Sequence, residues 1–207
     1  LLKVGLTGGM ASGKSVVGEM LAARGARFLQ ADQVAHELMQ PGQEVYLQAL
    51  RTFGTAILNP DGTVNRPKLA EAAFGGGGAA SRIHELNRIV HPAVIQRQNQ
   101  WMEEQGRRDP HAIAVVEAAL IIEAGAADDF DRLIVVTCSE EQRAQRFAAR
   151  QNIPLAQARE EVRRRMAAQF PDEEKIKRAD FVIDNSGSLD ATGAQVQRLF
   201  EVLKKLA

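Results

Sequence analysis

Of 207 residues only one is a cysteine, Cys138, so the chain can build no internal disulfide. It also lacks an excess of either charge: 26 Lys and Arg stand against 26 Asp and Glu. No global field therefore draws it to nucleic acid or to an anionic surface, and any bound anion has to be held by a local cluster. No apolar run approaches the roughly 18 residues that a membrane-spanning helix needs. Nor does the start show the basic segment and apolar core of a secretory signal, and the lone thiol agrees with a cytoplasmic location. Repeats and low-complexity tails are absent. Cys138 ends the apolar run Leu133–Thr137, which predicts a buried thiol at a strand end, with no electropositive neighbour evident in the sequence. Oligomeric state is not legible, and a monomer is the working expectation.

What is present is an alternation. Short runs rich in β-branched residues, Val4–Thr7, Arg27–Leu29, Ile113–Val116, Leu133–Thr137 and Asp180–Ile183, are separated by stretches of helical period. Continuous apolar strands suit a parallel sheet covered on both faces, so the fold class is α/β with three layers. Residues 36–111 contain no convincing strand. They carry helical patterns at Glu44–Phe53, Lys68–Phe74 and Ser81–Gln105, with Asn59-Pro-Asp-Gly62 as a turn and Gly75–Gly78 as a flexible joint. This predicts a core of residues 1–35, 112–154 and 178–207, an inserted helical lobe at 36–111, and a charged helical excursion at 155–177. That excursion suits either a solvated face or a lid closing on a polyanion.

The opening run is followed by GGMASGKS, Gly8-Gly9-Met10-Ala11-Ser12-Gly13-Lys14-Ser15, which fits G-x-x-x-x-G-K-[ST] between a strand and a helix. The glycines admit backbone conformations closed to other residues, and successive N–H groups at a helix N-terminus form an anion cradle. Lys14 is placed to reach the β- and γ-phosphates of a nucleotide and Ser15 to hold Mg²⁺. A guanine-reading N-K-x-D element is missing, which weakens a switch-protein reading.

Asp32 follows the second strand, at the edge where open α/β sheets bind ligands. Its carboxylate could orient an attacking hydroxyl and take its proton, or cap a helix over Gln33–Met39. Glu117, ending the third strand, is a candidate to hold Mg²⁺ through water, and Glu123 to cap or pair with an arginine. Arg143, Arg146 and Arg150 share one helix face, where a guanidinium could stack on adenine or clamp transferring phosphates.

Taken together, GLTGGMASGKS, ADQVAHELMQPG, DGTVNRPKLAEAAF, LNRIVHP, ALIIEAG, RMAAQ and FVIDNSG resemble the bacterial dephospho-CoA kinases, in the same order and over nearly the whole chain. The resemblance implies a P-loop NTPase fold with a helical substrate lobe and a lid. It also implies ATP-dependent phosphorylation of the ribose 3′-hydroxyl of dephospho-CoA, with Mg²⁺. By position, Asp32 matches the base, Lys14 and Arg146 the groups on the transferring phosphoryl, and Arg66 and His91 the acceptor side. Arg150, like Arg146, matches an arginine position of the family, Asn185 and Gly187 match a loop approaching the adenine, and Arg165 and Gln169, four residues apart in the lid, match positions closing over phosphates. Arg143 is read as a solvated neighbour of Arg146 and Arg150, and Arg163 and Arg164 as surface charge. Three departures stand out: Gln30 where the family often has Asp, Ala119 where it has Pro, and Gln151 where Asp is frequent. The same cradle would serve another small-molecule or nucleoside monophosphate kinase, or an ATP-binding sensor.

Overall fold

The computed structural model describes residues 1–75, 81–167 and 169–207. The chain divides into two compact units, one made of Leu1–Gln30 and Met102–Ala207, the other of Ala31–Trp101.

The first unit is built on five parallel strands: β1 (Leu2–Gly8), β2 (Arg27–Gln30), β3 (Ile113–Glu117), β4 (Arg132–Thr137) and β5 (Phe181–Asp184). Their order is β2-β3-β1-β4-β5, so β1 is central, with Val4 opposite Val115 on one side and Leu6 opposite Ile134 on the other. Strands this apolar need cover on both faces. One face, carrying Val4, Leu6, Val115, Ile134 and Val136, packs against α1 (Lys14–Ala22) through Val17 and Leu21. It also packs against α9 (Leu189–Leu206), whose Val196, Leu199, Phe200 and Leu203 recur at helical spacing. Ser188 caps α9 by accepting a hydrogen bond from the Ala191 N–H. Leu133 and Val135 point the opposite way, into Ile121, Ile122 and Phe130. Each such fully buried aliphatic side chain contributes about 1.5–3 kcal/mol of burial free energy, and the alternation along β4 decides which layer receives it.

The expected strands are all present, within one or two residues at each end. The charged excursion at 155–177 is two helices, α7 (Leu155–Met166) and α8 (Asp172–Lys177), and it follows α6 (Glu140–Gln151). Ser139 caps α6, accepting from the Gln142 N–H, and Asn152 at φ 51° ends it. The apolar stripe of α7, Ala158 and Val162, packs on Phe147 of α6. Its polar face is tied to α6 by Arg159–Glu141 and Arg163–Glu140. The break between α7 and α8 removes the helical relation expected for Arg165 and Gln169, because α7 stops at Met166.

The second unit holds α2 (Ala31–Leu38), α3 (Glu44–Phe53), α4 (Arg66–Phe74) and most of α5, which as a whole spans Ile83–Arg108. Its core joins Ala49, Phe53, Ile57, Leu69 and Ala73, with Ile83 and Leu86 packed against them. Among its described residues the one β element is an isolated bridge between Leu58 and Val64. The turn Asn59–Gly62 forms as expected, with Gly62 N–H donating to Asn59 O at 3.0 Å. Asp61 accepts from Thr63 in the same turn. The helix α5 passes through His91-Pro92 without ending. Of the tetraglycine, Gly75 is the left-handed residue closing α4; Gly76–Gly78 lie outside the described residues. No described helix is long and apolar enough to cross a membrane.

Candidate active site

The phosphate loop leaves the carboxyl end of the central strand, and its shape follows from glycine and from what holds its carbonyls. Gly8 has φ 149°, and a Cβ there would lie 2.2 Å from Val136 O. Gly13, at φ 90° and ψ 29°, turns the chain into α1. A Cβ on it would lie 2.1 Å from Asn185 Nδ2. Both positions exclude a side chain by conformation and by contact.

Three side chains from outside the loop hold its Met10 and Ser12 carbonyls, and Cys138 Sγ donates to Ala11 O at 3.7 Å. Arg143 Nη1 donates to Met10 O at 3.1 Å. Arg146 Nη1 donates to Ser12 O at 3.2 Å, and its Nη2 donates to Asn185 O at 2.9 Å. Asn185 Nδ2 donates to Ser12 O at 2.8 Å, while its Oδ1 accepts from Thr192 Oγ1 at 2.8 Å. In a planar trans peptide the C=O and the following N–H point in opposite directions. Holding Met10 O and Ser12 O on the α6 side thus turns the Ala11 and Gly13 N–H groups the other way, into the cradle at the α1 N-terminus. Ala11 completes the curve with φ 55°, a left-handed conformation that costs an alanine about 1–2 kcal/mol. Lys14 Nζ lies along the loop, donating to Gly8 O at 3.1 Å and Gly9 O at 3.2 Å.

Beside Lys14, Ser15 Oγ donates to Glu117 Oε1 at 3.0 Å, and Gln30 Nε2 donates to Glu117 Oε2 at 3.0 Å. Gln30, the departure noted in the sequence, is therefore bonded to the Glu117 carboxylate. An alcohol oxygen and a carboxylate in contact at the mouth of an anion cradle are the hard oxygen donors that Mg²⁺ takes. Among the described residues there is no cluster of three or more His, Cys, Asp or Glu that could hold a metal without help from a substrate.

The remaining expected residues separate. Arg150 is exposed over the Phe147 ring, 5.8 Å from its centroid, and Arg165 lies over the same ring at 5.2 Å. Arg165 also bonds Glu161 at 2.6 Å and reaches Met10 Sδ at 3.9 Å, so this α7 arginine stands beside the phosphate loop. The Gln169 Oε1 atom is buried with no hydrogen-bond partner among the described residues. Gly187 packs near Ala191, and Asn185, 2 % exposed, spends its amide on the loop instead of presenting it to a ligand. In the other unit, Asp32 is the second residue of α2, not a cap before Gln33, and it is exposed. Its place in the first turn suits the positive end of the helix dipole. Arg66 opens α4 and lines a cavity of about 400 Å³ with His36, Met39, Leu69 and Val90. His91 is exposed and does not line that cavity.

Four features were not legible in advance. Arg143, expected to be solvated, is fully buried. Arg163 and Arg164 are exposed, as expected, but paired with Glu140 and Glu161. Glu123 pairs with a lysine and no arginine: buried Lys175 Nζ lies 2.8 Å from Glu123 Oε1, a charge contact too bent for a good hydrogen bond, and the Phe170 N–H donates to the same oxygen at 3.1 Å. Cys138 is buried as expected, yet it has electropositive neighbours in Arg143 and Arg146. Burial outweighs them and pushes its thiol pKa up. Apart from Arg164 and Glu161, which lie three residues apart on α7, these partners stand 5 to 52 residues apart in the chain, and no local pattern joins them.

A central parallel strand running into a glycine-shaped anion cradle, with the lysine and hydroxyl of G-K-S at a helix start, defines a P-loop phosphotransferase. Comparison with known proteins sharpens the class: a sequence model described as dephospho-CoA kinase matches residues 2–191. A dephospho-CoA kinase of Corynebacterium efficiens is 37 % identical over 207 residues, covering 100 % of both chains. The chain belongs to the dephospho-CoA kinase family. The crystal structure of TT1252 from Thermus thermophilus superposes with a TM-score of 0.78 at 31 % identity, covering 100 % of this chain and 98 % of that one. A dephospho-CoA kinase from Campylobacter jejuni, at 22 % identity, shares the fold with a TM-score of 0.69, covering 98 % of this chain and 96 % of that one.

Proposed function

We propose that this chain transfers the γ-phosphoryl group of ATP to the ribose 3′-hydroxyl of dephospho-CoA, giving CoA and ADP. The observation that carries the proposal is the phosphate cradle with its carbonyls turned out, in a chain of this family. The loop N–H groups bind the β- and γ-phosphates, and Lys14 moves from the Gly8 and Gly9 carbonyls to the phosphate oxygens. Asp32 accepts the proton of the 3′-hydroxyl as its oxygen forms the new bond to phosphorus. The bond from γ-phosphorus to the bridging oxygen breaks, and ADP carries away the electron pair. Arg146, beside the loop, adds positive charge there, and Arg165 and Gln169 close over the phosphates from the lid, with Arg150 on the adenine side. Mg²⁺ would be held by Ser15, with Glu117 behind it, and would neutralise charge on the β- and γ-oxygens. In the helical lobe, the Arg66 cavity is proposed to take part of the acceptor, with the Arg66 guanidinium on a phosphate; His91 contributes from outside that cavity.

An ATP-consumption assay with dephospho-CoA, adenosine, AMP, CMP and buffer alone as acceptors tests this. Turnover is expected with dephospho-CoA only; preferential transfer to a nucleoside monophosphate would refute the assignment.

A further inference from the structure

One of the two fully buried cations among the described residues of the first unit, Arg143, takes no part in the mechanism proposed above. Arg143 is fully buried, and each nitrogen of its guanidinium has a partner. Nε donates to Cys138 O at 3.2 Å, Nη1 to Met10 O at 3.1 Å, and Nη2 to the Asp172 carboxylate. Asp172 is the first residue of α8, within the 155–177 segment, and its side chain is 21 % exposed. Three residues on, the same short helix is anchored again by buried Lys175 on Glu123. The guanidinium also presses on the loop itself. A Cβ on Gly9 would lie 2.0 Å from Arg143 Nη1 and 3.1 Å from Asp172 Oδ1. The φ of Gly9 is outside the left-handed region, so it is contact with this pair, and not backbone conformation, that crowds a side chain there.

Burying a cation and an anion together rarely adds stability, because desolvation offsets their attraction; apolar residues of similar volume often do as well or better. A charge pair kept at this place is therefore better explained by what it points at. It points at one carbonyl of the phosphate loop, whose peptide also carries the Ala11 N–H. We propose, building on the reading that ATP binds this loop, that Arg143 is a positioning residue for nucleotide binding. Held by Asp172, it fixes the Met10 carbonyl outward so that the Ala11 N–H faces the phosphates, and it couples that orientation to the start of α8.

The test replaces the pair by apolar residues, Arg143→Met with Asp172→Leu, and compares it with Asp172→Asn and Gly9→Ala. ADP affinity is measured by calorimetry without acceptor, alongside steady-state kinetics and thermal melts. The apolar pair is expected to melt at or above the wild-type temperature, yet to bind ADP about tenfold more weakly, the effect of one charge-assisted hydrogen bond. KM for ATP should rise by a similar factor, while KM for dephospho-CoA and kcat stay within about twofold to threefold. Gly9→Ala should weaken ADP binding alone but add nothing further in the apolar-pair background. Asp172→Asn, which keeps an acceptor and removes the charge, should fall between wild type and the apolar pair. Wild-type ADP affinity in the apolar-pair variant would overturn the inference and leave the nucleotide reading intact. Absence of ADP binding in the wild-type protein would overturn both.

Discussion

Replacing Gly13 by alanine is the smallest change that puts the cradle under strain. At φ 90° and ψ 29° the residue is left-handed, a conformation costing a non-glycine residue about 1–2 kcal/mol. The new Cβ would lie 2.1 Å from Asn185 Nδ2, so one of them has to move. Asn185 cannot swing aside cheaply: it is 2 % exposed, donates to Ser12 O and accepts from Thr192. Displacing it strands buried polar groups at about 1–3 kcal/mol. The two terms sum to about 2–5 kcal/mol, and at about 2–4 °C per kcal/mol for a chain of this size the melting temperature should fall by roughly 10 °C. Movement of the Ser12 carbonyl also turns the Gly13 N–H off the phosphates, so ADP affinity should drop at least tenfold. Thermal melts and calorimetry read the two effects separately. Adding Asn185→Ala to Gly13→Ala should recover part of the lost stability, since the clash is gone while the backbone cost stays. A Gly13→Ala protein that melts and binds ADP like wild type would refute the reasoning.

Asp32→Asn should lower turnover by about 10²- to 10⁴-fold, the usual worth of a general base, with ADP affinity near wild type in calorimetry; near-normal turnover would reduce Asp32 to a helix-dipole partner. Cys138, whose pKa is raised by burial despite the charges of Arg143 and Arg146, should react with iodoacetamide far more slowly than a free thiol at pH 7. Because the folded protein binds this proton more tightly than the unfolded chain, its contribution to stability is full below the free-thiol range and declines as pH rises through the folded pKa. Denaturant melts at pH 8 and pH 10 on wild type and Cys138→Ser should show the wild type losing more on going to the higher pH, and free-thiol labelling rates at pH 7 would sink the argument.

Strand positions and the phosphate loop were legible because their causes are local. A short apolar run rich in β-branched residues suits a strand covered on both faces, and Gly8, Gly13, Lys14 and Ser15 lie within eight residues of chain. The helices of the lobe were legible for the same reason, through the period of residues such as Phe53, Leu69 and Leu86. The break between α7 and α8 was not, because charged residues suit a helix or a connection equally and only the packing of Val162 on Phe147 decides where α7 ends.

Arg143 shows the limit of helical spacing. It shares a helix face with Arg146 and Arg150, yet exposure runs from fully buried at Arg143 to open at Arg150 along that face. The difference comes from Met10 and Asp172, 133 and 29 residues away. The same holds for Lys175 with Glu123 and for Asn185 with Ser12. By itself, then, the sequence determined the strands, the anion cradle and the family. The tertiary structure decided which cations hold the loop and which face outward, because a buried charge is set by partners that only folding brings within about 3 Å.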